Sequence, residues 1–311
     1  MHKKFDIVDR AIVPSERDNC AIDFYIKPDE GEKQEILKDL DFDEHTLSSA
    51  LDADEVSRVE FDTDHTFIIW KRPNNYSFDQ LLQFNVSSVG IILSKQNLIV
   101  ILNDEYELYD KRGFNKVTSL FDYFLKILYS TIRHYLEHIR AINLMSKELQ
   151  SKVNLSLENK YLIMMFNLSE SLVYYINAIA ANNTVLIKLR NNAQRIGFTP
   201  EEIEVIDDLI IENNQCYKQA EIYSTVLSGL MDARGTLVNN NMNTLLKKLT
   251  VINVIFLPLN LLASIGGMSE FSMMTLGIPW QISYSAFGLG MLVIGWLTAK
   301  ILNKMNNGNS E

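Results

Sequence analysis

The sequence predicts an α+β membrane protein: a cytosolic α/β domain, long antiparallel helices, a very long stalk helix and two C-terminal transmembrane helices per subunit. Three observations predict it. Between Leu249 and Ala299 the chain carries one charged side chain, Glu270, and neither Lys nor Arg. From Pro200 to Ile265 a helical pattern continues past a single internal proline, Pro258. The first 110 or so residues instead hold short runs of Ile, Val and aromatics, "CAIDFYI", "HTFIIWKR", "LLQFNVSSVGIIL" and "NLIVIL", with turn signals such as "RPNN" between them.

Residues 1–112 are thus expected to form the cytosolic α/β domain, with helical segments at "GEKQEILKDL" and "DEHTLSSALD". Residues 113–198 form long antiparallel cytosolic helices. Phe121, Phe124, Leu125, Leu128, Ile132, Leu136, Ile139, Ile142 and Leu149 share one face of the first. Met165, Leu172, Ile179, Leu186 and Ala193 recur by sevens in the second. Residues 199–265 form the stalk helix and first span. Thr199 is its expected N-cap, Pro200 its first residue and Glu202 the partner in a capping box. Unbroken, it is about 100 Å long.

"LTVINVIFLPLNLLASI" and "ISYSAFGLGMLVIGWLTAKIL", the latter filling residues 282–302, are read as the two spans of a bilayer about 30 Å thick. The rival reading, a buried helical hairpin, requires polar faces that these segments lack. Lys247, Lys248, Lys300 and Lys304 flank them, and the loop at 266–281 has no positive charge. The positive-inside rule therefore places both termini, with the tail at 303–311, in the cytosol, and the protein in the cell membrane as a multi-pass chain. Trp280 and Tyr284 suit the outer interface.

Composition sets further bounds. A formal net charge of -10 argues against a nucleic-acid partner. Cys20 and Cys216 fit neither a disulfide framework nor a zinc-finger spacing. "MHKKFDIVDR" lacks the apolar run of a secretory signal.

Read in sevens, the stalk gives Gly229, Thr236, Asn243, Thr250, Leu257 and Ser264. Three residues on come Asp232, Asn239, Leu246, Asn253, Asn260 and Gly267. This is one stripe and it is mostly polar. Polar residues within a span face a bundle interior or a water-filled path, so the stripe predicts a pore. Leu246 and Leu257 interrupt it as apolar constrictions. One helix cannot enclose a pore, so a cyclic homo-oligomer in a lipid bilayer is expected.

Other chemistry is sparse. His134 and His138, four apart, suit a metal, but no third ligand is evident and a solvated helix face is the expectation. No nucleophile motif, phosphate loop or dinucleotide fingerprint occurs, so neither an enzyme nor an organic cofactor is expected. The acids Glu201, Glu202, Glu204, Asp207 and Asp208 complement a helix N-terminus.

"NTLLKKLTVINVIFLPLNLLASIGGMS", Asn243 to Ser269, resembles the pore helix and signature of the CorA magnesium-transporter family, and "LSGLMDA" before it fits as well. The resemblance implies a funnel-shaped homopentamer carrying Mg²⁺ or another divalent cation such as Co²⁺, Ni²⁺ or Zn²⁺. It places Asn243, Leu246, Leu249, Leu257 and Asn260 along the pore and Asp232 near its cytosolic mouth. It makes Asp208 part of a regulatory divalent-ion site, with Asp79 as a guessed partner. The family's Tyr-Gly-Met-Asn signature is here Gly266-Gly267-Met268-Ser269, followed by Glu270, at the external mouth. The absent tyrosine removes an aromatic brace, and serine shortens the polar group offered to a hydrated ion. A second reading follows from that departure: a ligand-gated effector channel of relaxed selectivity. It would respond to a small cytosolic nucleotide-like ligand bound by Arg58, Lys71 and Arg72.

Overall fold

The apolar runs become the centre of a seven-stranded sheet. Its strands are β1 (His2–Val8), β2 (Ala11–Pro14), β3 (Ile22–Ile26), β4 (Arg58–Phe61), β5 (His65–Pro73), β6 (Val86–Ser94) and β7 (Leu98–Leu102). They lie in the order β2-β1-β3-β7-β6-β5-β4. The computed structural model describes residues 1–17, 20–40, 44–74, 82–104, 116–155 and 159–307. The β3–β7 pair is parallel and the other pairs are antiparallel, so the sheet is mixed. The strands β5, β6 and β7 are buried almost throughout, because both faces are covered. On one face Phe67, Ile69, Ile92, Ile99 and Ile101 meet Ile36 of α1 (Glu30–Leu40) and Leu47 and Ala50 of α2 (Glu44–Leu51). The approach of α2 is close enough to require Gly90, where a Cβ would lie 2.5 Å from that of Ala50. On the other face Ile68, Trp70, Val89, Ile91 and Val100 join the main core. The strands β1, β2 and β4 lack the apolar density of the central four and emerge only in the structure, toward the edges.

The main core is completed by α3 (Leu120–Leu155) and α4 (Asn159–Asn191). They pair antiparallel, with His138 meeting Tyr175 about equally far from the connection between them. A short α5 (Ala193–Ile196) leads into α6, which runs from Pro200 to Gly266 over 67 residues. The start of α6 follows from its first residues. The Glu202 amide donates to Thr199 Oγ1 at 3.2 Å and the Thr199 amide to Glu202 Oε2 at 2.9 Å, the expected capping box. The Ser119 hydroxyl also donates to Glu202 Oε1, tying the cap to the start of α3.

Contacts divide the chain into Met1–Met231 and Asp232–Glu311, a boundary inside α6. In the first unit Ile206, Leu209, Asn213, Cys216, Ala220 and Leu227, spaced by threes, fours and a seven, are the buried face of α6. The second unit holds the rest of α6, α7 (Ser269–Met274) and α8 (Trp280–Asn307).

Among the described residues three helices are long and apolar enough to cross a membrane: α4 from Lys160, α6 and α8. The most apolar windows of α6 and α8 are 6% and 0% buried within the chain, whereas that of α4 is 44% buried. The hydrogen bonds of α4 show why it is a core helix. Asn182, fully buried, accepts from the Lys71 amide at 3.0 Å and donates to the Lys71 carbonyl at 2.8 Å. Because β4 pairs only as far as Ile69, Asn182 stands in for the missing strand beside Lys71. Ser57 Oγ donates to the same Asn182 oxygen at 2.7 Å.

Candidate functional site

The polar stripe is laid out along α6 in the second unit. Asp232, Thr236, Asn239, Asn243, Leu246, Leu249, Thr250, Asn253, Leu257, Asn260 and Ser264 are all exposed within the chain. Thr236 and Thr250 bend their hydroxyls back onto the carbonyls of Asp232 and Leu246, leaving outward lone pairs on a helix without kinking residues at those turns. The residues two further on, Ile255, Leu262 and Gly266, lie about 200° round the helix and are partly or fully covered. On that side α8 packs, with Leu259 at Gly295 and Gly266 at Phe287. The arrangement separates two jobs. One side of α6 is apolar and holds α8 of the same chain. The opposite side presents amides, hydroxyls and three leucines to whatever adjoins it.

At the end of α6 the chain turns within three residues. The Gly267 amide points to the carbonyls of Ala263 and Ser264 at 3.1 and 3.3 Å, and the Met268 amide donates to that of Ile265 at 3.1 Å. Ser269 then opens α7, so the expected external loop contains a short helix. A Cβ on Gly266 would lie 2.7 Å from the Phe287 ring, nearer than real side chains approach. Tyr284 hydroxyl donates to the Gly266 carbonyl at a long 3.5 Å. By sequence, the glycine at 266 implies the loss of an aromatic brace. In the structure the aromatics come from α8 and occupy the space above the glycine. Spacing from Gly266 could not reveal this; the signal available was Tyr284 and Phe287 three apart on one helical face.

The remaining candidates fall in the first unit or outside the described residues. Asp79 lies outside them. Asp208 is exposed on α6, while its neighbour Asp207 accepts from Arg190 Nε at 2.7 Å. Among the described residues no three His, Cys, Asp or Glu side chains converge as a metal site. His134 and His138 are not on a solvated face, which corrects that expectation. His138 is 5% exposed and its Nδ1 lies 2.6 Å from Tyr175 Oη. Burial pushes His138 down to about 3, with His134 beside it adding to the effect. Burial first and the Arg72 charge second push His134 down to about 4. Burial likewise raises the Cys216 thiol to about 12, leaving it inert.

Arg58, Lys71 and Arg72 do not converge into one basic pocket. Arg58 pairs with Glu55 and Glu60. Arg72 is buried and paired with Asp104, and as a strand neighbour of Lys71 it points to the other face of the sheet.

A mixed-sheet domain and two long, largely uncovered apolar helices are the parts of a helical membrane protein. The family described as CorA-like Mg2+ transporter protein matches residues 22–304, and the chain belongs to that family. It is 28% identical over 282 residues to the cobalt/magnesium transport protein CorA of Methanocaldococcus jannaschii, covering 88% of this chain and 86% of that protein. It is 23% identical over 258 residues to the protein of the same name from Thermotoga maritima, covering 80% and 72%. The complete structure of the M. jannaschii CorA magnesium transporter superposes with a TM-score of 0.78 over 96% of each chain at 22% identity. That of full-length CmaX superposes with a TM-score of 0.74 over 97% of each at 10% identity.

Proposed function

We propose that this chain is one subunit of a homopentameric, channel-type carrier of divalent cations, Mg²⁺ first and Co²⁺, Ni²⁺ or Zn²⁺ with it. It is gated from its cytosolic domain. The observation that carries the reading is the uncovered polar stripe of α6 opposite α8, in a chain of this family. Five copies arranged about an axis turn Asn243, Thr250, Asn253, Asn260 and Ser264 toward a common path. Leu246, Leu249 and Leu257 form apolar rings that close by dewetting. The names of the two curated relatives support Mg²⁺ and Co²⁺ as cargo. Gly266, Gly267, Met268, Ser269 and Glu270 form the external mouth, and Asp208 contributes to a regulatory cation site. Both termini lie in the cytosol and the α6–α8 connection outside. An inside-negative potential drives entry, each charge gaining about 2.3 kcal/mol per 100 mV, so a divalent ion gains about twice that.

Uptake of Mg²⁺, Co²⁺, Ni²⁺ and Zn²⁺ into proteoliposomes under an imposed potential tests the proposal. Saturable, potential-dependent entry of at least one is expected. Flat traces for all four, from protein shown to be pentameric, would sink it.

A further inference from the structure

Past Ile69, β5 outruns its neighbour β4, and Asn182 satisfies the exposed backbone at Lys71. Beside this seam lies a cleft of about 730 Å³, walled by the Ala53–Ser57 loop, the ends of β5 and β6, and the Glu170–Ala181 stretch of α4. All of it belongs to the first unit, apart from the polar stripe. Its size is that of a small-molecule site.

The charge in its wall is unusual. Lys71 is 8% exposed, yet among the described residues its ammonium meets a single acceptor, the carbonyl of Ala53. No carboxylate among the described residues lies within ion-pairing distance of it. An ammonium has three donors, and buried charges are ordinarily paired. Burial pulls the Lys71 pKa down, and Asp54, Asp52 and Glu55 pull it back up. Two carboxylates line other walls: Asp54 on the loop, and Glu170 on α4, where the Tyr174 hydroxyl donates to it at 3.4 Å. Val56, Val86 and Ala178 supply an apolar lining.

The geometry points to a site for a small zwitterion, an amino acid or dipeptide with an apolar side chain. Its carboxylate would pair with Lys71 and its ammonium with Glu170 and Asp54. A polyphosphate would meet two carboxylates against one cation. A metal ion would meet Lys71 and no cluster of three ligands. Neither suits the wall as a zwitterion does.

The test uses the full chain in detergent, with thermal unfolding followed as L-leucine or glycyl-leucine is titrated. A saturating rise in Tm is expected for at least one. N-acetyl-leucine lacks the cation, leucinamide lacks the carboxylate, and both should leave Tm unchanged. Lys71→Met should weaken the response at least about tenfold, the scale of a lost charged hydrogen bond. Its own Tm should hold or rise, since a buried unpaired charge is removed. Glu170→Gln, on the half-buried helix wall, should weaken binding independently and does not touch the strand. Flat titrations with both zwitterions, or a response to ATP in their place, would overturn the assignment. So would equal responses to the two blocked leucines, or undiminished binding in both variants. None of these outcomes depends on whether the protein conducts ions.

Discussion

Single side chains settle two local questions. Asn182 meets the β5 edge at Lys71, and its amide matches a backbone donor–acceptor pair. Asn182→Ala would strand a buried N–H and a buried carbonyl, at about 1–3 kcal/mol each. We expect Asn182→Ala to lower the stability of the full chain by about 2–6 kcal/mol on the same scale, read as a fall in the denaturation midpoint. Asn182→Asp keeps the acceptor but sets a buried carboxylate against the Lys71 carbonyl, so it should destabilise at least as much as Asn182→Ala. Along the stripe, Leu257 is 69% exposed in the chain and flanked by Asn253 and Asn260, so it is the narrowest apolar interruption of a polar run. Leu257→Asn should wet that ring and raise ion leak in planar bilayers without sharpening the preference for Mg²⁺ over K⁺. Unchanged conductance would place the barrier at another ring.

Pairs of elements carry the next effects. The contact of α6 with α8 at the turn after Ile265 depends on a glycine facing an aromatic ring. Gly266→Ala forces a methyl against Phe287 and should lower both thermal stability and cation uptake. Phe287→Leu opens the space, so the double variant should recover most of what Gly266→Ala loses. A double variant no better than Gly266→Ala would show that the glycine matters for another reason. The packing of α3 on α4 carries a pH dependence. His134 and His138 are held at about 4 and about 3, below the roughly 6.5 of an unfolded histidine. Between these values the unfolded chain binds more protons, so stability rises with pH there and is lost as pH falls below about 6.5. The groups facing the pair are Arg72, Tyr135 and Tyr175, and the two hydroxyls do not charge in this range. The thermal midpoint of the full chain should therefore drop more steeply from pH 7 to pH 5 than that of a His134→Gln/His138→Gln variant. Equal slopes would mean that the carboxylates alone set the acid sensitivity.

For the whole molecule, assembly and regulation are linked by mass action: a cation that binds the closed state stabilises it. If Asp208 contributes to such a site in the pentamer, chelation should make the chain easier to proteolyse. Asp208→Ala should raise Mg²⁺ uptake when internal Mg²⁺ is high. Full inhibition retained in Asp208→Ala would remove Asp208 from regulation and leave the transport proposal standing.

The sequence by itself determined the order of parts, the four central strands, the capping box at Thr199 and Glu202, and the polar stripe. Each is a short-range signal, a run, a cap or a period along one helix, and local chemistry writes it without reference to the rest of the chain. What covers an element is written elsewhere. Hydropathy makes α4 as eligible for a bilayer as α8, and only the packing of Asn182 on β5 and Tyr175 on His138 decides that α4 is a core helix. The same distance in sequence hid the burial of His134 and His138 and the pairing of Arg72 with Asp104. It also hid the aromatic cover of Gly266, which comes from Phe287 some twenty residues on. In each case the deciding term is desolvation, and desolvation depends on neighbours that only the tertiary fold brings together.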